Sequence, residues 1–200
     1  MTGFEGYDAF EGQDPYCYGG TTVLKNKLGI KDPNTLEAFE LEMSTLRAAE
    51  PLPDGGFDVG HCLRVHHHLF QDVYDWAGNP RTIQTAKGGN LFCLPAYIEA
   101  ELNKLFATLD KDPGSWAETP QEFVTMVANF LAELNAIHPF REGNGRSQLA
   151  FVHLLGEAAH CPFDLSRVRR DTFLPAMIAS FHLELGPLKA ELASLLIERR

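Results

Sequence analysis

Two consecutive helical patterns, joined by one short glycine loop, constrain the fold of this chain most. The first helix is predicted over Pro120–Ile137, where Thr119 and Glu122 have the spacing of an N-terminal capping box. Its apolar side chains recur at helical spacing along one face. The second helix is predicted to begin near Asn144 and is apolar almost all round, which is typical of a buried helix. We therefore expect a helical bundle around a buried central helix.

The remainder of the chain also follows the helical period, with one exception. Five further helices are predicted, over residues 34–49, 59–75, 95–109, 171–185 and 187–198. In the first of them, the apolar stripe is formed by Leu36, Phe39, Met43 and Leu46. The exception is a pair of extended runs that flank Lys87-Gly88-Gly89-Asn90, which predicts a β-hairpin. The hairpin must lie on the helical body because an isolated hairpin is only marginally stable. The predicted fold class is all-α with one small hairpin.

Composition narrows the class of protein. With 200 residues, of which 44% are hydrophobic, the chain is long enough for one globular domain with a proper core. The net charge of −10, from 17 basic and 27 acidic residues, disfavours nucleic acids and anionic membranes as partners. The 4 cysteines are widely spaced, which favours free thiols in a reducing compartment over disulfides or a zinc site.

The N-terminal segment differs in character from the rest. Residues 1–15 are acidic, rich in glycine and without periodicity, so we expect a flexible tail followed by one domain over residues 16–200. The segment lacks the basic and apolar regions of a secretory signal, and no apolar run is long enough to cross a membrane. These features predict a cytoplasmic protein.

The loop between the two central helices carries the chemistry. Its sequence is His138-Pro139-Phe140-Arg141-Glu142-Gly143-Asn144-Gly145-Arg146. Pro139 forces His138 out of the helical conformation, so the first helix ends there. Gly143 and Gly145 permit positive φ angles, and the amides of this turn can converge on one anion at the start of the next helix. The tripeptide Gly-Asn-Gly alone fits a simple tight turn, but the whole string, with Arg146 as a cation, predicts a phosphate site.

This segment resembles the signature of Fic-domain proteins, H-P-F-x-D/E-G-N-G-R-x-x-R, and matches it through Arg146. The resemblance extends to Gly20–Lys31, Tyr74–Gly78, Arg81–Pro95 and Glu133–Ile137, and covers residues 16–198. It implies the Fic fold and a protein adenylyltransferase, which transfers AMP from ATP to a tyrosine, threonine or serine hydroxyl of a target protein. The family includes bacterial toxins and secreted effectors, so delivery into a host cell is an alternative to a cytoplasmic location.

The resemblance also implies a role for each residue of the motif. His138 would be the general base that removes the proton from the attacking hydroxyl. Glu142 would hold Mg²⁺ against the phosphates of ATP, since magnesium favours a carboxylate combined with phosphate oxygens. The phosphate-binding residues would be Gly143, Asn144, Gly145 and Arg146. The amides and the Asn144 side chain would stabilise the transferring phosphoryl group, while Arg146 would neutralise the leaving β-phosphate.

The hairpin resembles the flap of the family, which binds an extended segment of the target protein by strand addition. The flap residues predicted to contact the target are Gln84, Thr85, Lys87, Gly88, Gly89 and Phe92. A second partner that the resemblance implies is a small inhibitory antitoxin-type protein. The inhibitory helix of the family carries S/T-x-x-x-E-G/N, on the same chain or on the partner. Ser180–Glu184 and Ser194–Glu198 match only the first part of that pattern.

One position departs from the signature. Leu149 stands where the family has a second arginine, which contacts the γ-phosphate of ATP. Either another cation reaches the γ-phosphate, or the donor is of a diphosphate type that lacks one. The candidate cations are Arg141, Lys87, Arg167, Arg169 and Arg170. A weakly active or non-catalytic Fic domain that binds proteins through its flap is a further alternative.

A run of three histidines, His66-His67-His68, raises the alternative of a metal site together with His61 and Asp72. Adjacent histidines on a helix point in different directions, and the spacing of a zinc site is not present in the sequence. A structural role is therefore predicted for these histidines.

Overall fold

The computed structural model describes residues 8–9, 14–109 and 112–197. The α-helices in this part of the chain are α1 (Pro33–Ala48), α2 (Val59–Phe70), α3 (Ile98–Phe106), α4 (Pro120–Ile137), α5 (Asn144–Ala158), α6 (Arg170–Phe181) and α7 (Leu185–Leu195). Three short strands, β1 (Asp8–Ala9), β2 (Thr85–Lys87) and β3 (Asn90–Leu91), form a small antiparallel sheet. Short 3-10 helices lie at Pro95–Tyr97, Pro113–Ser115 and Leu165–Arg167. The predicted helical class is confirmed.

Helices α4 and α5 form the centre of the bundle. The Thr119 hydroxyl accepts the N–H of Glu122 at 3.2 Å, and the Glu122 carboxylate accepts the N–H of Thr119 at 3.0 Å, so the predicted capping box is closed. Helix α5 packs against α2 and α4, and α4 also contacts α3, α6 and α7. Phe151 and Leu155 of α5 are completely buried, which confirms the prediction of a central helix.

Helix α1 packs most of its predicted apolar stripe against the core: Leu36 is buried, and Phe39 and Met43 are partly buried. Its buried residues are Leu36, Glu40 and Ser44, which follow one another at intervals of four. Leu46, predicted to belong to the apolar stripe, is 57% exposed. The prediction was wrong for Leu46 alone, because the buried side of the helix continues through Glu40 and Ser44, whose carboxylate and hydroxyl find partners on α5.

Two other predicted boundaries also change. Helix α2 ends at Phe70 rather than at residue 75, because the chain turns there and buries Tyr74 against the core. The helix predicted over residues 171–185 ends at Phe181 as α6, because Leu183 has a left-handed φ of 67°. Ser180 and Glu184, the first partial match to the inhibitory pattern, therefore do not lie on one continuous helix. Glu198, the end of the second inhibitory match, lies outside the described residues.

The predicted hairpin is present, but it is shorter than expected and has an additional strand. Both Gly88 and Gly89 have positive φ angles, as a two-residue turn of type I′ requires, and Lys87 pairs with Asn90 rather than forming part of the turn. Strand β2 begins at Thr85, not at residue 81. Its other edge pairs with β1, where Asp8 lies opposite Ala86. The β2 edge of the hairpin is thus occupied by the N-terminal part of the same chain.

A buried ion pair joins the N-terminal segment to the central loop. The guanidinium of Arg141 donates to one carboxylate oxygen of Asp14 through Nε at 3.0 Å and Nη2 at 2.7 Å, and both side chains are largely buried. Asp14 is therefore packed against the domain, although it lies before the predicted boundary at residue 15. Within the described residues, no helix combines the length and apolarity needed to cross a bilayer.

Candidate active site

His138 is held at the end of α4 in a left-handed conformation, with φ 49° and ψ 63°. Its N–H still donates to the carbonyl of Leu134 at 3.0 Å, and Pro139 follows, so the helix ends as predicted. The ring atom Nδ1 lies 3.2 Å from the carbonyl oxygen of Asn135. Because a carbonyl oxygen can only accept, Nδ1 carries the proton and the lone pair of the imidazole is on Nε2.

The surroundings of His138 keep its imidazole neutral. The ring of Phe92, from the flap, is stacked on it with centroids 3.7 Å apart. Burial, together with the positive charges of Arg81 and Lys87, lowers the pKa of His138 to about 3. The uncharged form, which can accept a proton, is therefore the stable form throughout the neutral range.

Arg81 connects the flap to the end of α4, a role that was not predicted from the sequence. Its buried guanidinium donates to the carbonyl oxygens of His138 at 2.8 Å and Ile137 at 3.3 Å. It also donates to the carbonyl oxygens of Ile83 at 2.7 Å and Cys93 at 2.5 Å, on both sides of the hairpin. A cation is favourable at the carboxyl end of a helix, where carbonyl groups lack partners.

Gly143 and Gly145 have different structural roles in the loop. Gly143 has φ 81° and precedes α5, and a Cβ atom there would lie 2.4 Å from the ring of Phe70. This position therefore requires glycine. Gly145 belongs to the first turn of α5 and is exposed, so the prediction of a positive φ at this position was wrong. A Cβ atom on Gly145 would meet no protein atom within 4 Å.

The Asn144 side chain forms hydrogen bonds within the loop. Its Oδ1 accepts the N–H of Phe140 at 3.0 Å, and its Nδ2 donates to the carbonyl oxygen of Phe140 at 2.8 Å. The side chain is buried inside the loop. It therefore fixes the loop conformation by two hydrogen bonds to one residue. The predicted contact of Asn144 with a phosphoryl group stays a prediction.

Glu142 lies at the mouth of the loop, with 27% of its side chain exposed. Its Oε1 accepts the N–H of Gly143 at 2.8 Å and lies 4.0 Å from Nη2 of Arg146. Burial raises the pKa of Glu142, and the nearby carboxylate of Glu40 raises it further. The carboxylates of Glu142 and Glu40 thus lie near one arginine, Arg146, and a second cation would stabilise this arrangement.

Arg146 is held by three groups, and none of them was identified from the sequence. Its Nη1 donates to the Ser44 hydroxyl at 2.9 Å, and its Nη2 donates to a carboxylate oxygen of Glu40. The guanidinium carbon lies 4.7 Å from the centroid of the Phe70 ring. Helix α1 therefore fixes the position of Arg146, the cation in the first turn of α5.

The predicted structural role of the histidines agrees with their hydrogen bonds. His66 is completely buried, stacks on Phe140 at 3.7 Å, and has Nε2 2.9 Å from the carbonyl oxygen of Glu142. Its Nδ1 accepts the N–H of Gly78 at 2.9 Å, so Nε2 is the protonated nitrogen. His61, His67 and His68 each contact a different backbone carbonyl. Within the described ranges, no cluster of three metal-binding side chains is present.

The predicted flap residues lie together around the hairpin. The Gln84 side-chain amide donates to the carbonyl oxygen of Phe92 at 2.7 Å, and the N–H of Phe92 donates to the carbonyl oxygen of Thr85 at 3.2 Å. Lys87 ends β2 next to the glycine turn. Of the alternative cations for a γ-phosphate, Arg141 is paired with Asp14. Leu149 itself is partly buried and packs against the core.

These features define a helical domain in which a glycine loop, a neutral histidine and a β-flap lie together at the start of a central helix. Residues 56–155 match the model of the Fic/DOC family. The chain belongs to this family. The predicted Fic fold and the predicted function of a protein adenylyltransferase are both confirmed by its relatives.

Two relatives illustrate the similarity in sequence. The protein y4lH of Sinorhizobium fredii, named a probable protein adenylyltransferase, is 50% identical over 187 residues, which are 93% of this chain and 96% of that protein. The probable protein adenylyltransferase Fic of Salmonella typhimurium is 38% identical over 160 residues, which are 78% of each chain.

A solved structure shows the similarity in fold. The BepC protein of Bartonella tribocorum, a VirB-translocated effector with bound AMPPNP, has a TM-score of 0.82 at 31% identity. The alignment covers 92% of this chain and 97% of that chain. The N-terminal Fic domain of a VirB-translocated Bep effector from Bartonella quintana, with bound ADP, has a TM-score of 0.83 at 30% identity, covering 92% and 95%.

Proposed function

We propose that this protein adenylyltransferase uses His138 as the general base for transfer of AMP to a target hydroxyl. The neutral imidazole, with its proton on Nδ1 and its lone pair on Nε2, is the observation that carries the proposal. The target oxygen attacks the α-phosphorus of ATP, and its proton passes to Nε2 of His138. The bond to the β-phosphate breaks and pyrophosphate leaves. A positioned base of this kind contributes about 10²–10⁴-fold to the rate.

The phosphates bind at the start of α5. The amides of Asn144 and Gly145 belong to the first turn of that helix, where N–H groups lack acceptors within the helix. The exposed position of Gly145, where a Cβ would meet nothing within 4 Å, leaves room for an anion to approach the backbone. Arg146 follows directly and carries a positive charge beside the same amides. Together these groups stabilise charge that develops on the transferring phosphoryl group.

Glu142 is the residue that would hold Mg²⁺. A single carboxylate suits magnesium, which is usually bound by one or two carboxylates together with waters and the phosphates of its substrate. The raised pKa of Glu142, caused by burial and by Glu40, means that its negative charge lacks sufficient compensation without a cation. The metal would supply charge neutralisation at the phosphates, and Glu142 would fix its place.

The flap is proposed to bind an extended segment of the target protein. Its strands present main-chain hydrogen-bonding groups, and Phe92 places the flap directly over the base. The target hydroxyl must reach Nε2 of His138 for the proton to move, so strand pairing sets the register between the modified residue and the base. A tyrosine, threonine or serine can supply that hydroxyl.

The donor nucleotide is the part of the proposal that Leu149 affects. An apolar side chain, partly buried against the core, stands where the Fic signature has the arginine that contacts the γ-phosphate. This observation favours, as a second candidate, a diphosphate-type donor, or a Fic domain whose main task is to bind proteins through its flap. ATP remains the first candidate, since the relatives are named probable protein adenylyltransferases and the similar BepC structure holds AMPPNP.

Labelled nucleotides distinguish these candidates. We would incubate the protein with Mg²⁺, a cell lysate and ATP labelled either at the α- or at the γ-phosphate. Adenylylation transfers the α-label to protein and leaves the γ-label in pyrophosphate. His138→Ala should keep nucleotide affinity and lose transfer at least about 100-fold. Transfer of the γ-label, or full transfer by the variant, would contradict the proposed chemistry.

A further inference from the structure

A buried carboxylate on α1 contacts the arginine that we assign to the phosphates. Glu40 lies in the middle of α1 and is 106 residues away in sequence from Arg146. One oxygen of its carboxylate accepts from Nη2 of Arg146, and the other accepts from the hydroxyl of Tyr74. The Tyr74 side chain is itself buried. Glu40 therefore joins the chain after α2 to the first turn of α5.

Ser44 adds a second contact from the same helix. Its hydroxyl accepts from Nη1 of Arg146 at 2.9 Å, one turn further along α1 from Glu40. The face of the Phe70 ring lies 4.7 Å from the guanidinium carbon. The position of the guanidinium is thus fixed by two hydrogen-bond acceptors and by an aromatic face. Rotation about the side-chain torsions would break both hydrogen bonds.

The geometry leaves part of the guanidinium for a ligand. A guanidinium has five N–H groups in a fixed plane, and Glu40 and Ser44 each accept one of them. The Arg146 side chain is 34% exposed, whereas that of Glu40 is only 12% exposed. A ligand at the start of α5 can thus reach Arg146 without displacing Glu40. The Glu40 carboxylate therefore supports Arg146 from the buried side and does not itself occupy the phosphate site.

We propose that Glu40 is a positioning residue, which holds the Arg146 guanidinium in the orientation that binds the phosphates of the nucleotide. The inference rests on the proposed role of Arg146. A pre-oriented arginine loses less side-chain entropy when it binds a phosphate, so affinity for phosphate-bearing ligands is higher.

The test is a double-mutant cycle on nucleotide affinity, with ADP, ATP and adenosine as ligands in the presence of Mg²⁺. Glu40→Gln should weaken ADP and ATP binding by about tenfold or more, the range for a lost charge-assisted contact. Adenosine binding should be unchanged, because adenosine lacks the phosphates. In an Arg146→Ala background the same substitution should change ADP affinity by less than about twofold. Glu37→Gln, on the exposed side of α1, is the matched control.

The other results would overturn the inference in distinguishable ways. Tighter ATP binding by Glu40→Gln would show an inhibitory contact. An equal loss in the Arg146→Ala background, or a parallel loss of adenosine binding, would show a general structural role. If Arg146→Ala alone binds ADP as the parent does, the proposed phosphate role of Arg146 fails as well. Thermal melting accompanies each variant, and Ser44→Ala replaces Glu40→Gln if that variant does not fold, with a smaller loss expected.

Discussion

The rings of Phe92 and His138 lie face to face, with centroids 3.7 Å apart and planes inclined by only 13°. The flap therefore covers the proposed base directly. Burial is the main cause of the low pKa of His138, and the Phe92 ring contributes to that burial, so Phe92 helps to keep the imidazole uncharged.

The first prediction concerns this cover. Phe92→Ala should raise the pKa of His138 from about 3 towards its ordinary value, since the variant admits water to the imidazole. Histidine side-chain NMR over a pH series, assigned with His138→Ala, measures the change. In the parent, the His138 ring should remain neutral down to about pH 5. Leu91→Ala, at an exposed neighbouring position, is the control, and equal titration of His138 in both variants would contradict the prediction.

The second prediction concerns the metal. Glu142→Gln removes one negative charge while nearly keeping the shape of the side chain, so the stimulation of ATP binding by Mg²⁺ should largely disappear. Calorimetric titration of ATP with and without Mg²⁺ measures it. The matched control is Glu133→Gln on α4. If the parent binds ATP equally well with and without Mg²⁺, Glu142 has another task.

The third prediction separates the ring of Phe92 from its backbone. Phe92→Pro removes the N–H that donates to the carbonyl oxygen of Thr85 at 3.2 Å, so the hairpin should lose its pairing and target modification should fall. Phe92→Ala keeps that N–H and should retain more of the modification. Nucleotide affinity, measured in parallel, should be unaffected in both. Full target modification by Phe92→Pro would rule out the flap as the target-binding element.

The fourth prediction addresses the departure from the Fic signature. Leu149→Arg should strengthen ATP binding over ADP binding by about 1–3 kcal/mol if the new guanidinium meets the γ-phosphate. Residue 149 follows Arg146 by three positions, so both side chains can reach the same side of α5. Leu149 packs against the core, so melting temperatures must be compared, with Leu149→Met as the apolar control. A folded variant without preference for ATP would indicate either that another group holds the γ-phosphate or that the natural donor has none.

Local rules predict the centre of the molecule well. The capping box at Thr119 and the proline after His138 give both ends of α4, Pro120–Ile137, without error. The loop after it is equally local, because one proline and one left-handed glycine, Gly143, determine its path. The order of elements therefore follows from short-range backbone preferences, which depend only on neighbouring residues.

The contacts that support the site could not be predicted in the same way. Glu40 meets Arg146, and Asp14 meets Arg141, across more than 100 residues in sequence. Nothing in helical spacing indicates which distant group a charged side chain will find, because tertiary packing decides it. The sequence contains one indication of such a contact: Glu40 lies on the same helical face as Leu36, and a buried carboxylate requires a partner.

The pairing of β1 with β2 has a consequence for the choice of target. Asp8 and Ala9 lie opposite Ala86 and Thr85, so one edge of the flap already carries a strand from its own chain. A tethered strand acts at an effective concentration in the millimolar range or thereabouts, set by the length of its linker. A segment of another protein that adds to this edge must outcompete the resident strand. If the target is bound at this edge, displacement of the resident strand must come before any phosphorus–oxygen bond changes.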